Sequence, residues 1–242
     1  MDSIRLPDAE AHHARRVLRA RVGDRATVLN GCGSRFECEI ATASGSEVTL
    51  KVLEQAQAPA PACRVTLFQA IPKGKTLETI IQKATELGVT KIVPIITGHV
   101  VARPHPAEFD KKENRWQNAA IEAVKQCGQH WLPRVDAPET LSHALRRRES
   151  LDLEFIGALS DAARHPREWF NAFSQSHGHP PESLGVWIGP EGDFTSRELG
   201  DVINAGARPI SLGPLVLRCD TAAIYCLSIA GYETSAPQPA AQ

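Results

Sequence analysis

From residue 63 onward, short apolar runs alternate with amphipathic stretches, and this alternation allows few folds. The apolar runs occupy residues 65–71, 91–96, 153–159, 184–188 and 209–212. Between the first two, apolar residues spaced by three and four form the stripe of a buried helix face, made by Leu77, Ile80, Ile81, Ala84 and Leu87. Strands that alternate with helices build a mainly parallel sheet covered by helices. The pattern therefore predicts an α/β domain.

Three more helices are predicted in this part of the chain. The first has an apolar face made of Trp116, Ala120, Ala123, Val124 and Cys127. Another begins at Thr195, because Glu198 three residues later completes a capping box. The last covers about residues 221–232.

The residues before 63 follow a period of two instead. Apolar and polar side chains alternate in two stretches, which contain Phe36, Cys38 and Ile40, and then Val48, Leu50 and Val52. This pattern predicts a small antiparallel barrel or sheet, with a short helix around residues 9–19 before it. The stretch 53–63 is rich in Ala, Pro and Gln and reads as a linker. We therefore predict domains at residues 1–62 and 63–235, and a disordered tail at 236–242.

The net charge of −1 excludes a wholly basic nucleic-acid-binding surface, so any RNA contact must be local. Basic side chains concentrate near the first helix, at His12, His13, Arg15, Arg16, Arg19 and Arg21. Lys73 and Lys75 flank Gly74 at the end of the first strand of the α/β domain. For the first helix, phosphate binding and a solvated face remain equally open. For residues 146–148, three consecutive arginines, a solvated face is favoured.

The six cysteines fit neither a zinc site nor a small disulfide scaffold, because none forms a Cys-x-x-Cys pair. Scattered thiols and no signal peptide predict a protein of the reducing cytoplasm. The most apolar run, residues 221–231, is shorter than the ~20 residues that cross a bilayer. No metal site and no membrane contact are expected.

Two loops rich in Gly and Pro follow predicted strands, at residues 189–193 and 212–218. Ligands of open α/β sheets bind at the carboxyl ends of strands, and glycines let backbone amides approach a ligand such as adenine. Either loop taken alone could be an ordinary turn. Motifs for a P-loop, a Rossmann dinucleotide site, a nucleophile elbow and a zinc deaminase are absent from the sequence.

Together these segments resemble the ribosomal RNA small subunit methyltransferase E family, of the SPOUT superfamily. The resemblance extends to about Glu233 and rests on HHARRVLRARVGD from His12, KGKTLETIIQKATELGV from Lys73, AIEAVKQCG from Ala120, Leu132-Pro133, IGPEGDFTSREL from Ile188 and LGPLVLRCDTA from Leu212. It implies a PUA-like RNA-binding β-barrel followed by a SPOUT fold with a C-terminal trefoil knot. It also implies a homodimer that methylates N3 of one uridine in 16S rRNA of the small ribosomal subunit, with S-adenosyl-L-methionine (SAM) as methyl donor.

The resemblance implies roles for individual residues. The cofactor is expected to contact Leu159, Ile188, Gly189, Pro190, Glu191, Gly192, Ser211, Leu212, Gly213, Leu217 and Arg218. The RNA is expected to contact His13, Arg16, Arg19, Lys73 and Lys75. Arg218 is the first catalytic candidate, stabilising charge on the uracil oxygens, and its structural alternative is pairing with Asp220 or with a helix terminus. Glu191 is the second, as proton acceptor, with amide binding or helix capping as its alternative.

The chain departs from the family pattern at a few positions. Asp193 stands where glycine is usual, and Cys219-Asp220 replaces a Thr-Glu pair. His99 and Gln129 stand where arginine is expected. We expect Asp193 to alter the loop geometry. Two other functions stay open: a non-catalytic RNA-binding or ribosome-assembly protein, and a methyltransferase for a different RNA base.

Overall fold

The computed structural model describes residues 3–44, 47–101, 103–158 and 162–235. The chain divides into two compact units, residues 1–60 and residues 61–242. The predicted disordered tail lies outside the described residues, as does Leu159.

The smaller unit is an antiparallel sheet with one helix. Its strands are β1 (Ser3–Arg5), β2 (Arg25–Leu29), β3 (Ser34–Ser44) and β4 (Glu47–Gln57), and its helix is α1 (Asp8–Arg16). The strands pair in the order β1-β4-β3-β2. The predicted alternation is confirmed, because one face forms a core of Phe36, Cys38, Ile40, Val48 and Leu50, against which Ala11 of α1 packs.

The larger unit is built on a parallel sheet. Its strands are β5 (Arg64–Ala70), β6 (Lys91–Ile96), β7 (Arg134–Val135), β8 (Glu139–Thr140), β9 (Leu153–Gly157), β10 (Ser183–Ile188) and β11 (Arg208–Ile210). They lie in the order β11-β9-β10-β5-β6-β7, and β8 also pairs with β6. The central strand β10 is buried along its whole length, as expected for a strand with helices on both faces.

Helices cover both faces of this sheet. They are α2 (Thr76–Glu86), α3 (Phe109–Cys127), α4 (Leu141–Arg147), α5 (Pro166–His177), α6 (Ser196–Asn204) and α7 (Cys219–Thr234), and a 3₁₀ turn, Pro106–Glu108, precedes α3. One core cluster packs α2, α3, α5 and α7 against the sheet, and the other packs α4 and α6. The predicted α/β class is confirmed. The stripe predicted for α2 is confirmed for Leu77, Ile80, Ile81 and Ala84, which are buried, but Leu87 is 37% exposed and lies just after the helix.

The capping box predicted at the start of α6 is present. The Thr195 hydroxyl accepts the Glu198 N–H at 3.2 Å, and Glu198 Oε2 accepts the Thr195 N–H at 3.0 Å. In contrast, α4, α5 and the short strands β7 and β8 were not predicted. Few residues of α4 are buried, among them Leu141 and Ala144, so its apolar stripe is too brief to detect.

The solvated-face interpretation of residues 146–148 is wrong for two of the three arginines. Arg147 Nη2 donates to Asp136 Oδ2 and Glu139 Oε1, both at 2.7 Å. Arg148 forms an ion pair with Glu154 at 3.0 Å and donates to the Ala205 carbonyl at 2.6 Å. These two side chains tie α4 to the sheet, and a charge run in the sequence does not reveal such partners.

Replacing Arg148 with alanine should therefore destabilise the protein. Glu154 is 8% exposed and also accepts the indole N–H of Trp187 at 2.9 Å, so it would remain as a buried, uncompensated carboxylate. Breaking a buried pair in this way typically costs about 3–5 kcal/mol. Urea unfolding measures the loss, and Arg146→Ala, at an exposed neighbour, is the matched control with an expected change within about 0.5 kcal/mol. Equal stability of the two variants would contradict the assigned role of Arg148.

Candidate active site

A cleft opens at the carboxyl ends of three neighbouring strands. Its volume is about 770 Å³, and the loops after β9, β10 and β11 and the start of α7 enclose it. Because β11, β9 and β10 are adjacent in the sheet, segments far apart in the sequence meet at this edge. The predicted cofactor residues that line the cleft are Ile188, Gly189, Pro190, Glu191, Gly192, Ser211, Leu212, Gly213, Leu217 and Arg218.

The loop 188–193 is tightly folded on itself. The Asp193 N–H donates to the Pro190 carbonyl at 2.9 Å, and Asp193 Oδ1 accepts the Phe194 N–H at 2.7 Å. Asp193 adopts a φ of +58°, in the left-handed region that Asn and Asp enter more readily than most residues. A β-carbon on Gly189 would lie 2.8 Å from Asp193 Oδ1. The loop therefore has no room for a side chain at position 189.

Glu191 binds a backbone amide of a neighbouring loop. Its Oε1 accepts the Lys73 N–H at 3.0 Å, so the loop after β5 is attached to the cleft. This contact corresponds to the amide-binding alternative for Glu191. It also brings the backbone of Lys73, with Lys75 two residues further, to the same edge of the sheet.

The loop after β6 contacts the loop 188–193 of the cleft as well. The ring of His99 lies 3.0 Å, through Nδ1, from the carbonyl oxygen of Asp193. The Gly98 N–H donates to Glu198 Oε1 at 2.8 Å. Arg103 Nη2 donates to the carbonyls of Thr97 and Gly98 at 3.3 and 3.2 Å. Two positions that depart from the family pattern, 99 and 193, thus contact each other, and the resemblance gave no sign of this.

Arg218 stands at the N-cap of α7 with its side chain exposed. Within the described ranges, no ion pair or side-chain hydrogen bond is found for its guanidinium. Asp220, the alternative partner, accepts the Thr221 N–H at 2.8 Å. The guanidinium is therefore free to meet a ligand at the mouth of the cleft.

Cys219 also lines the cleft, at the start of α7. Burial, and then the nearby carboxylate of Glu191, raise the pKa of its thiol to about 11. The thiol is therefore protonated at neutral pH and is a poor nucleophile, since the thiolate is the reactive form.

The remaining candidates for RNA contact belong to the smaller unit. His13 and Arg16 are exposed on α1, and Arg19 follows this helix with a φ of +53°. The sequence analysis assigned no ligand contact to several cleft residues: Gly157, Ala158, Ala163 and Ala222, together with Leu215 and Val216 of the loop 212–218. Gly157 ends β9 and Ala158 follows it, so their place at a strand end was the signal available.

A second cleft, of about 550 Å³, lies near the amino ends of β9 and β10. Its charged groups are largely engaged: Arg148 pairs with Glu154, and Asp152 accepts the N–H groups of Glu182 and Ser183. Its lining does not include loops rich in Gly and Pro such as those of the first cleft. Within the described parts of the chain, every helix is too short or too polar to span a lipid bilayer.

Two family models match the sequence. One describes an RNA methyltransferase domain and matches residues 58–231, and the other describes an RNA methyltransferase PUA domain and matches residues 6–53. The chain is 33% identical over 231 residues to a ribosomal RNA small subunit methyltransferase E of Synechocystis, covering 93% of this chain and 72% of that protein. It is 30% identical over 228 residues to the protein of the same name from Bacillus subtilis, covering 93% and 88%.

Solved structures of methyltransferases are also similar to this chain. A methyltransferase of Legionella pneumophila, determined with bound SAM, superposes with a TM-score of 0.83 at 30% identity, covering 94% of this chain and 90% of that one. A ribosomal RNA small subunit methyltransferase E of Neisseria gonorrhoeae, also bound to SAM, has a TM-score of 0.82 at 25% identity, covering 95% and 91%.

Proposed function

This chain belongs to the ribosomal RNA small subunit methyltransferase E family, and from that premise we propose that it transfers the methyl group of SAM to N3 of a uridine in 16S rRNA. Membership makes it a SAM-dependent rRNA methyltransferase. The observation that carries the proposal is the cleft at the carboxyl edge, because its two loops occupy the positions that the family resemblance assigns to the cofactor.

The lining of the cleft suits SAM. Leu212 and Leu217 offer apolar surface, while the glycines of both loops expose backbone amides and carbonyls. Ligand sites of this kind combine apolar walls with a few well-placed polar groups, here for the adenine and the amino acid part of the cofactor. Bound there, SAM supplies an electrophilic methyl group on a sulfonium.

The chain itself must align the uracil and favour loss of its N3 proton. Arg218, which is free at the mouth of the cleft, stabilises the negative charge that spreads onto the uracil oxygens. Glu191 holds the loop that carries Lys73 and Lys75, so that these side chains meet RNA phosphates beside the reacting base.

The smaller domain, residues 1–62, binds RNA through His13, Arg16 and Arg19. The larger domain, residues 63–235, carries the methyl transfer and the C-terminal trefoil knot. The protein acts on the small ribosomal subunit in the cytoplasm. These assignments follow the family resemblance and the exposure of the basic side chains of α1.

The active form is a homodimer. Leu215 and Val216 of the cleft loop are 72% and 79% exposed. Apolar side chains so exposed beside a ligand site suit a surface that a second copy covers. Analytical ultracentrifugation at micromolar protein concentration would show a species of twice the chain mass, and a strictly monomeric protein would reject the dimer.

The substrate assignment is tested in a strain that lacks the gene. Mass spectrometry of its 16S rRNA should show no 3-methyluridine, and the purified protein with SAM should restore the modification to subunits from that strain. Persisting 3-methyluridine would reject the assigned base. Isothermal titration addresses the assembly-protein alternative, because a protein without methyltransferase function would bind no SAM at high micromolar concentration.

A further inference from the structure

Methylation at N3 requires a group that takes up the N3 proton. Glu191 accepts an amide N–H through Oε1, and Asp193 accepts another through Oδ1, so each carboxylate already has a structural contact. The Cys219 thiol, with its pKa raised to about 11, is protonated and offers no basic atom at neutral pH. The loops that surround the cleft offer a further candidate for the proton acceptor.

The imidazole of His99 has the required form. Its Nδ1 lies 3.0 Å from the carbonyl oxygen of Asp193, and a carbonyl oxygen can only accept a hydrogen bond. The proton of the neutral ring is therefore on Nδ1, and Nε2 carries a lone pair. Within the described parts of the chain, no hydrogen bond to Nε2 is found, and the residue is exposed.

His99 lies beside two residues that line the cleft. A β-carbon on Gly192 would lie 3.2 Å from Cβ of His99 and 3.7 Å from its Nδ1. Both residues that the ring contacts, Gly192 and Asp193, line the cleft. A base attached to RNA must enter from the solvent side, where the ring is exposed.

The ring is also held firmly enough to act on a bound base. The loop that carries it is fixed by Arg103, which donates to the Thr97 and Gly98 carbonyls, and by Glu198, which accepts the Gly98 N–H. The charged side chains that hold this loop are therefore Arg103 and Glu198.

We propose that Nε2 of His99 accepts the N3 proton of the target uridine, an inference that rests on the proposed function. The N3–H bond breaks and its proton moves to Nε2, while the nitrogen electron pair forms the N3–CH₃ bond. The S–CH₃ bond breaks with its electron pair returning to sulfur, so the products are 3-methyluridine, S-adenosylhomocysteine and an imidazolium. The imidazolium then loses its proton to solvent.

The test combines His99→Asn with a substrate whose N3 proton is more acidic. Asparagine keeps an N–H donor near the place of Nδ1 but has no basic nitrogen. On unmodified small subunits we expect the single-turnover rate to fall about 10²-fold or more, the usual contribution of general base catalysis. On subunits that carry 5-fluorouridine at the target, the loss should shrink at least tenfold, because less assistance is needed to remove the proton.

The matched control is His179→Asn. His179 also directs Nδ1 at a backbone carbonyl, that of Pro180 at 2.8 Å, but it lies before β10, at the other end of the strands. Its variant should react at the wild-type rate. Thermal unfolding and SAM titration of both variants establish that fold and cofactor binding are kept.

The outcomes separate the two proposals. An equal rate loss on the two substrates would overturn the role of His99 as proton acceptor and leave it a merely structural contact. A wild-type rate for His99→Asn would overturn it as well. If the wild-type protein binds SAM but methylates N3 of the target base on neither substrate, the proposed function itself fails, and the inference fails with it.

Discussion

Replacing Arg218 with alanine should lower the single-turnover rate of methyl transfer about 10²–10³-fold, the usual loss when one charge-stabilising donor is removed. The guanidinium stands at the N-cap of α7, beside the cleft, and its alternative partner Asp220 is engaged with the Thr221 N–H. No described hydrogen bond or ion pair of the Arg218 side chain supports the fold, and alanine keeps the backbone carbonyl that accepts the Ala222 N–H, so the unfolding transition should stay where it is. Rapid-quench assays on small subunits, with SAM at saturation, measure the rate.

Two further variants sharpen this prediction. Arg218→Lys keeps the charge but loses the planar fork of donors, so its rate should fall between those of the wild type and the alanine variant. Arg197→Ala is the control. Arg197 is also near a helix start, but its side chain is 92% exposed and its ion pair with Asp201 is long, at 4.0 Å. Its removal should leave the rate of methyl transfer unchanged. A rate for Arg218→Ala within about threefold of wild type, with SAM binding intact, would remove Arg218 from the mechanism.

Replacing Gly189 with alanine should weaken SAM binding about 5- to 150-fold. The added β-carbon would lie 2.8 Å from Asp193 Oδ1, 3.2 Å from Cα of Asp193 and 3.3 Å from the Phe194 ring, so the loop must shift. Overpacking of this kind typically costs about 1–3 kcal/mol, and each 1.4 kcal/mol is tenfold in the dissociation constant. Because one of the crowded atoms is backbone, rotation of a side chain cannot relieve the clash.

Isothermal titration with SAM measures this effect, and Gly200→Ala provides the control. Gly200 lies in α6, where an added β-carbon meets no atom within 4 Å, and alanine favours helix more than glycine does. The control should bind SAM as the wild type does and be at least as stable. Unchanged SAM affinity in Gly189→Ala would show that the cofactor does not depend on the shape of loop 188–193.

The sequence predicted the elements that have a strong period and missed the contacts that join them. The apolar stripe of α2 and the alternation of β3 were readable because one face of α2, and one face of β3 from Ser34 to Ile40, are buried. Helix α4 was not, since seven residues give too few turns for a period to show. Arg148 looked like part of a solvated run because its partners Glu154 and Ala205 are set by the fold.

In the candidate site, too, the loops could be predicted from the sequence but the contacts between them could not. Glycines and prolines at strand ends marked the loops, because these two residue types favour particular backbone conformations. The contacts of Glu191 with Lys73 and of His99 with Asp193 join positions 118 and 94 residues apart, so no local pattern could reveal them. Only the parallel sheet order, which places β5 and β10 side by side, brings such positions together.

The late position of the cleft loops in the chain has a consequence for biosynthesis. Strand β11 and helix α7 are the last described elements to be translated, and α7 packs against α2, β5 and β10, which are made much earlier. Domains generally fold as units, the N-terminal one first, while the chain is being made. The smaller domain is therefore ready to fold long before the cleft exists. A nascent chain therefore gains its methyl-donor pocket only after β11 and α7 have been made.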